Sequence, residues 1–192
     1  MFSVACFLTV HEHFPRVSLS PDEFLMLFNT ARIQDRIKKV LMREAPISEE
    51  LLTKRVLKSF GIARAGSRIQ AHMNGIYRSL QLRSTLQDER RFFWSPGQDP
   101  AQYRMFRTSG EGAAKRDPID VPVQEAVNAL YRALDEQVSL PHDDLIRESA
   151  KLMGYTRSGP IVVTLFEAAI NYAKRKHAIV KSANGNWVLV TN

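Results

Sequence analysis

The 192-residue sequence has a single cysteine, Cys6, which excludes an internal disulfide. A reducing compartment is the expected setting, and we expect a cytoplasmic protein. No apolar run is long enough to cross a membrane, and the segment before His11 lacks the basic start of a signal peptide. Hydrophobic residues make up 44% and charged residues 24%, the proportions of an ordinary soluble globular protein.

Signatures of common enzyme classes are also missing. No Asp or Glu is followed two residues later by Lys, so a frequent short nuclease motif is absent. Residues 61–68 have the Gly-x4-Gly spacing of a phosphate-binding loop, but the required Lys is replaced and a helix precedes the loop. His11 and His13 could share one face of a strand as metal ligands, yet no third ligand is evident. We predict no enzyme activity, no cofactor and no metal site.

One short pattern occurs twice. The segment Phe-Gly-Ile-Ala-Arg-Ala-Gly starting at Phe60 recurs 93 positions later as Met-Gly-Tyr-Thr-Arg-Ser-Gly starting at Met153. The same offset places Trp94 on Trp187. Three residues keep their identity in both copies: Gly61, Arg64 and Gly66 match Gly154, Arg157 and Gly159. Internal repeats show which segments share a shape, so we predict one supersecondary unit used twice.

The pattern around the first copy predicts a helix-turn-helix. Leu52, Val56 and Phe60 fall on one helical face, and Gly61 suits the left-handed conformation found at helix ends. After a four-residue turn Ser67 can cap another helix. The apolar positions of that helix are Ile69, Met73, Ile76, Tyr77 and Leu80. Two helices joined by a tight turn with glycine are typical of this motif.

Further helices and hairpins complete a winged helix in each copy. Helices are predicted at 30–43 and from Ser48 in the first copy, and at 122–135, 141–153 and 160–176 in the second. The first helix of the second copy matches at an offset of 90, so three added residues near 136–140 would restore 93. A charged turn at 87–91 forms the first hairpin, and Asn184-Gly185 suits a type I′ turn in the second.

The residues before the first copy predict a strand and a helix. Residues 1–19 contain an apolar run suited to an extended edge strand, and Ser20 with Glu23 forms a capping box. The residues that follow, Phe24, Leu25, Leu27 and Phe28, are too apolar to stay exposed, so we expect them to pack on the first copy or on a partner chain.

We therefore predict a mainly α chain of the α+β class, a tandem winged-helix repeat with an N-terminal helical extension. The extension spans residues 1–30, the first repeat 31–95, an irregular linker 96–120 and the second repeat 121–192. The linker holds one short ordered piece at 103–107, since prolines and glycines interrupt the rest.

Positive charge is concentrated in the first repeat. Residues 31–95 hold fourteen basic and six acidic side chains, whereas the balances of residues 1–30, 96–120 and 121–192 are −2, 0 and +1. A basic helix-turn-helix with a wing is typical of DNA binding. The predicted DNA contacts are Arg64, Arg68, His72, Arg78, Arg90 and Arg91. The alternative is that Arg64 holds the turn by bonding helix carbonyls while the others form a solvated face.

The second repeat has a different third helix, with Leu165 in the place of His72 and no cation before Lys174. We do not expect this helix to read a DNA groove. Packing on the first repeat or on another protein is the better interpretation.

The repeated glycine turn, together with residues 37–47 and the closing Phe92-Phe93-Trp94, resembles a known family. The chain is similar, over about residues 33–190, to the uncharacterised domain at the C-terminus of large bacterial superfamily I helicases, which often also carry a repair-endonuclease-like domain. The resemblance implies an accessory module in DNA processing, because neither helicase motifs nor a nuclease signature is present.

The functional prediction is a non-catalytic DNA-binding or DNA-positioning module. Its expected partners are duplex or single-stranded DNA, and the helicase or nuclease domains of the same system. The alternative is a protein-interaction or dimerisation module that uses the apolar surfaces of the second repeat and of the N-terminal helix, and forms a homodimer without touching nucleic acid.

Overall fold

The fold was analysed in a computed structural model, which describes residues 3–6, 17–108 and 116–190. Two compact units divide the chain. The first unit is Leu8–Asp99, and the second unit is Met1–Phe7 with Pro100–Asn192. Both combine helices with small sheets, so the predicted α+β class is confirmed. No helix in the described ranges has the length and apolar character needed to span a membrane.

The elements follow one another in a repeating order. They are β1 (Ser3–Cys6), α1 (Pro21–Phe24), α2 (Thr30–Glu44), β2 (Ile47–Ser48), α3 (Glu49–Ser59), α4 (Ser67–Ser79), β3 (Ser84–Gln87), β4 (Arg90–Phe93), β5 (Met105–Thr108), α5 (Val123–Gln137), β6 (Ser139–Leu140), α6 (His142–Leu152), α7 (Pro160–Arg175), β7 (Ile179–Lys181) and β8 (Trp187–Leu189). Short 3-10 turns lie at Leu27–Asn29 and Pro118–Asp120. Each unit thus contains helix, short strand, helix, helix and hairpin.

The sheets have matching topology. In the first unit the strand order is β2-β4-β3, and in the second it is β6-β8-β7, all antiparallel. The short strand between the first two long helices therefore pairs with the second strand of each hairpin. A separate parallel pair joins β1 to β5, with Ser3 opposite Met105 and Cys6 opposite Thr108. The ordered piece predicted at 103–107 within the linker is confirmed, because β5 overlaps it. Phe106 of that strand is fully buried in the core of the second unit.

Side-chain caps start two of the helices as predicted. Ser20 Oγ accepts a hydrogen bond from Glu23 N at 3.3 Å, and Ser20 N donates to the Glu23 carboxylate at 2.7 Å. Ser48 Oγ accepts from Leu51 N at 3.1 Å at the start of α3. The prediction that Ser67 caps α4 is wrong, because Gly66 holds the cap position and Ser67 is the first helical residue.

The two glycine turns are built alike. Gly61 has φ +75° and Gly154 has φ +87°, the left-handed region that glycine adopts without strain. Gly61 N donates to the Lys58 carbonyl at 3.1 Å, and Gly154 N donates to the Lys151 carbonyl at 2.8 Å. The next amide in each turn bonds back to Leu57 or Ala150, both at 3.0 Å. The residue after each glycine is therefore turned back onto the preceding helix.

The predicted register of the repeat needs two corrections. The bounds of α2 and α5 lie 93 residues apart at both ends, so the predicted offset of 90 with a later insertion is wrong. Ala126, Leu130 and Ala133 take the buried places of Ile33, Ile37 and Val40. Trp187 lies opposite Leu140 in its ladder, whereas Phe93 lies opposite Ile47 in the other, so Trp187 corresponds to Phe93 and not to Trp94.

The hairpin turns also differ from prediction. Asp88 and Glu89 both have positive φ, at 45° and 65°, which makes the first hairpin the one with a two-residue primed turn. In the second hairpin only Gly185 has positive φ, and Gly185 N donates to the Ser182 carbonyl at 2.9 Å. This is a three-residue loop closed by a left-handed glycine, so the predicted type I′ turn at Asn184-Gly185 is wrong.

Some of the apolar residues after Ser20 are buried and others are exposed. Phe24 is fully buried in the first unit, with its ring 5.6 Å from that of Phe60. Leu27 is 86% exposed and Phe28 is 79% exposed, because the chain leaves α1 after one turn and enters the 3-10 turn that leads into α2. Packing on the first unit is confirmed for Phe24. Leu27 and Phe28 do not pack there, and the alternative that they pack on a partner chain stays a prediction.

A buried charge cluster supports the second unit. Glu125 on α5 accepts from Arg107 Nε at 2.7 Å and from Arg107 Nη2 at 2.8 Å, and it also accepts from Arg116. All three side chains are buried. Burial alone would raise the pKa of the Glu125 carboxyl, but the two guanidinium groups hold this pKa below its ordinary value. The cluster ties β5 and the segment at Arg116 to α5.

Glu125→Gln is expected to lower the free energy of unfolding by about 3–5 kcal/mol, because it leaves two buried guanidinium groups without this carboxylate. Urea unfolding followed by far-UV circular dichroism measures the change. A group with a lowered pKa in the fold stabilises above its unfolded pKa of about 4.5 and loses that contribution as the pH falls through the folded value. The wild type should therefore lose more stability than the variant below about pH 4.5.

Asp135→Asn on the same helix is the matched control. Asp135 is exposed and pairs with Arg132 at 3.7 Å, so its loss should change the free energy of unfolding by less than about 0.5 kcal/mol. Equal effects of the two substitutions, or parallel acid profiles of wild type and Glu125→Gln, would contradict the assigned role of the buried cluster.

Candidate nucleic-acid interface

The exposed face of α4 is cationic and contains no acid. None of the thirteen residues of α4 is Asp or Glu. Arg68, Ala71, Gly75 and Arg78 are all exposed, and their spacing places them on one face of the helix. The buried residues Ile69, Met73, Ile76 and Tyr77 form the opposite face, as predicted. A Cβ added at Gly75 would meet no atom within 4 Å, so this part of the surface is open.

Arg64 and Arg68 lie at the start of this face. Arg64 is exposed in the turn before α4 and makes no ion pair or hydrogen bond with the described residues, so it does not hold the turn by bonding carbonyls. Arg68 Nη1 is 3.3 Å from the Asp22 carboxylate, but the two side chains are 77% and 75% exposed. Exposed pairs contribute little stability, so Asp22 competes weakly with another anion for Arg68.

Arg78 lies at the far end of α4. Its Nε donates to the Asn74 carbonyl at 3.2 Å, which orients the guanidinium along the helix. Arg78 is exposed, and it lines a groove of about 390 Å³ between the end of α4, the start of α3 and the hairpin.

His72 does not belong to the exposed face. Its ring lies 6.0 Å from that of Phe24 in an edge contact, and it is half-buried. The buried Nε2 has no hydrogen-bond partner among the described residues. The prediction that His72 faces outward is therefore wrong, because Phe24 of α1 covers this side of α4.

The two hairpin arginines are bound to carboxylates. Arg90 Nη1 is 3.0 Å from Glu50, and Arg91 Nη1 is 3.5 Å from Glu49. Arg90 is 24% exposed and Arg91 is 49% exposed. Burial raises the pKa of the Glu49 carboxyl, and the neighbouring Arg91 opposes that shift. These pairs hold the hairpin against the first turn of α3.

The groove beside Arg78 is mixed in charge. Glu49, Glu50 and Glu89 line it together with Arg78 and Arg91. Three carboxylates disfavour a phosphate in the groove itself. The surface suited to a polyanion is therefore the outer face of α4 and its preceding turn, where Arg64, Arg68 and Arg78 lie.

In the second unit the corresponding face of α7 has no cations. Ile161 stands where α4 has Arg68, and Asn171 stands where it has Arg78, both exposed. Leu165, in the place of His72, is buried. That α7 does not read a DNA groove stays a prediction.

Sequence reasoning missed a second cationic surface at the other end of α7. From Ala168 onward the sequence contains no Asp or Glu. The exposed cations of this stretch are Lys174, Arg175, Lys176 and Lys181. Lys174 and Lys181 both lie over the Trp187 ring, at 5.9 and 5.4 Å from its centroid. The signal in the sequence is the acid-free stretch that begins at Ala168.

The sequence offers candidate metal ligands only near the N-terminus, at His11 and His13. His11 and His13 lie outside the described residues. The part of the chain that the structure describes holds no group of three His, Cys, Asp or Glu side chains that could bind a metal ion.

Comparison with known proteins gives one family. A family described as Protein of unknown function (DUF3320) matches residues 22–71. This range covers α1 to α3, the glycine turn and the first residues of α4. No curated protein matches the chain.

His72→Leu is expected to raise the free energy of unfolding by about 1 kcal/mol, because it removes a buried polar atom that has no partner and keeps an apolar side chain against Phe24. Leu165 shows that the corresponding site of the second unit accepts leucine. Urea unfolding measures the difference. His72→Ala is the control and should lower stability through lost packing. A destabilised leucine variant would show that Nε2 has an unseen partner.

Proposed function

We propose that the chain is a non-catalytic DNA-binding and DNA-positioning module of a helicase-type DNA-processing protein, and that both units are winged helices. The first unit makes the DNA contacts through Arg64, Arg68 and Arg78. The observation that carries this proposal is the outer face of α4, which combines exposed arginines with small residues and has no carboxylate of its own.

The spacing of the arginines suits a helix in the major groove. Arg68 and Arg78 are ten residues apart, about 15 Å along the helix axis. The major groove is about 12 Å wide, so the two guanidinium groups can reach phosphates on opposite sides of it. Ala71 and Gly75 lie between them and let the helix backbone approach the base edges.

The two arginines of the hairpin mainly hold it in place beside the interface and contribute less to direct DNA contact. Arg90 and Arg91 keep the hairpin against α3 through their pairs with Glu50 and Glu49. Arg91 is the more exposed of the two and can add a phosphate contact without losing its carboxylate. His72 has no role in binding, because it packs on Phe24.

The helicase setting rests on the resemblance of residues 33–190 to the C-terminal domain of large bacterial superfamily I helicases. The family of unknown function matches residues 22–71 and overlaps the first part of that range. Neither the resemblance nor the matched residues supply a catalytic constellation, so the module positions DNA for other domains.

Binding to a duplex of about 20 base pairs should weaken steeply with salt, because neutralised phosphates release counterions. Arg64→Ala, Arg68→Ala and Arg78→Ala should each reduce the slope of log affinity against log salt by about one. Fluorescence anisotropy at several salt concentrations measures the slope. Arg90→Ala should change it less, since this guanidinium is largely covered and paired with Glu50.

Arg43→Ala is the matched control. Arg43 is exposed on α2, and no ion pair joins it to any described residue, so it carries the same charge on a different helix. If Arg43→Ala and Arg68→Ala reduced the slope equally, binding would arise from non-specific electrostatic attraction and not from a defined interface on α4. Salt-independent binding, or no binding to either duplex or single-stranded DNA, would contradict the proposal.

A protein-interaction role is the second candidate, and the exposed Leu27 and Phe28 favour it. Covering two neighbouring apolar side chains with a partner removes apolar surface from water, which favours association. The simplest partner to test is a second copy of the chain.

Leu27→Asp with Phe28→Asp should abolish self-association in sedimentation velocity if these residues form the contact. Met42→Asp is the control, because Met42 is equally exposed on α2 but is a separate apolar position. A chain that sediments as a monomer at high concentration, with or without the substitutions, would contradict dimerisation.

A further inference from the structure

A cavity of about 340 Å³ lies in the second unit between α5, α7 and the segment that precedes β5. Its volume is within the range of small-molecule sites. Among the described residues, its lining includes three tyrosines, two cations and two side-chain amides, and no Asp or Glu. These residues are Tyr103, Tyr131, Tyr172, Arg104, Lys176, Asn128 and Gln124.

The tyrosines offer uncharged aromatic faces. Tyr131 on α5 and Tyr172 on α7 are half-buried, so part of each side chain remains accessible. Burial raises the pKa of Tyr131 to about 12, with the neighbouring Tyr172 acting in the same direction and Arg104 opposing it. The hydroxyl is therefore protonated at neutral pH. Accessible aromatic side chains in a concave site favour a flat aromatic ligand.

The cations are at the accessible edge of the cavity. Arg104 is exposed, and its Nη1 donates to the Tyr103 carbonyl at 3.1 Å, which fixes the guanidinium beside the cavity. Lys176 is exposed, with Nζ 5.9 Å from the centroid of the Tyr172 ring. Since none of the described residues that line the cavity carries a carboxylate, these two cations favour an anionic group next to the aromatic one.

Asn128 offers a ligand a buried hydrogen-bond acceptor. Its side chain is fully buried, and Nδ2 donates to the carbonyls of Tyr103 and Met105, each at 3.0 Å. Oδ1 accepts no hydrogen bond from any described residue. A buried acceptor without a donor costs about 1–3 kcal/mol, so a ligand N–H that reaches it is favoured.

We propose that this cavity binds a nucleotide. The base stacks on the accessible tyrosine rings and donates an N–H to Asn128 Oδ1, while the phosphate is bound by Arg104 and Lys176. The source is either a free nucleotide or one nucleotide of a single strand, since both present the same base and phosphate. The inference concerns the second unit and does not rest on DNA binding by α4.

Isothermal titration calorimetry of the full chain with AMP tests the proposal. AMP should bind, whereas ribose 5-phosphate and inorganic phosphate should bind at least 5-fold more weakly, because they lack the base. Tyr172→Ala should weaken AMP binding about 5-fold or more, the lower end of what one base–aromatic stack contributes. Tyr172→Phe keeps the ring and should bind as the wild type does.

Lys176→Gln should weaken AMP binding several-fold and reduce its salt dependence. Lys181→Gln is the matched control, because Lys181 is also exposed and stacks on an aromatic ring but does not line the cavity. Arg68→Ala should leave AMP binding unchanged, so failure of this proposal and failure of the α4 interface are distinguishable.

A single-stranded adenine hexanucleotide distinguishes the two sources. Tighter binding of the hexanucleotide than of AMP, lost in Tyr172→Ala, assigns the cavity to a strand; AMP binding that the hexanucleotide does not displace assigns it to a free nucleotide. Equal affinity for AMP and ribose 5-phosphate would overturn the proposal. So would undiminished AMP binding by a folded Tyr172→Ala protein, or no binding of either ligand at millimolar concentration.

Discussion

The left-handed glycine between the second and third long helices determines the geometry of each unit. Gly61 and Gly154 have φ of +75° and +87°, and each is followed by an amide that bonds back into the preceding helix. A side chain at either position would be strained, so the turn depends on glycine. Because the turn sets the direction of the next helix, the surface that α4 presents follows from a backbone constraint set before that helix begins.

The two units have the same order of helices and strands but different surfaces. Five pairs of helix ends lie 93 residues apart, namely both ends of α2 and α5, both ends of α3 and α6, and the starts of α4 and α7. Yet the outer face of α4 has Arg68 and Arg78 where α7 has Ile161 and Asn171. In the second unit the cations lie at the C-terminal end of α7, where they interact favourably with the negative end of the helix dipole. Duplicated helices therefore do not imply duplicated binding, and each unit needs its own chemical interpretation.

Local features of the fold were predictable and distant contacts were not. The capping box at Ser20, the glycine turns and most helix bounds depend on residues within a few positions of one another. The pairs of Arg90 with Glu50 and Arg91 with Glu49 join residues about 40 positions apart, so no local pattern revealed them. The cavity is less predictable still, because Tyr103, Tyr131 and Tyr172 come together only when α5 and α7 pack.

Net charge is a poor guide to which arginine can bind a phosphate, and accessibility is a better one. The excess of eight positive charges in residues 31–95 includes arginines whose neighbours already neutralise them. Arg90 is 24% exposed and pairs with Glu50 at 3.0 Å, so a phosphate has little access to its guanidinium. The side chains of Arg68 and Asp22 are both well solvated, so this pair can open at little cost, and Arg64 pairs with no carboxylate in the described part of the chain. If the first unit binds a polyanion as proposed, the accessible cations for that contact lie in the turn and on α4 rather than in the hairpin.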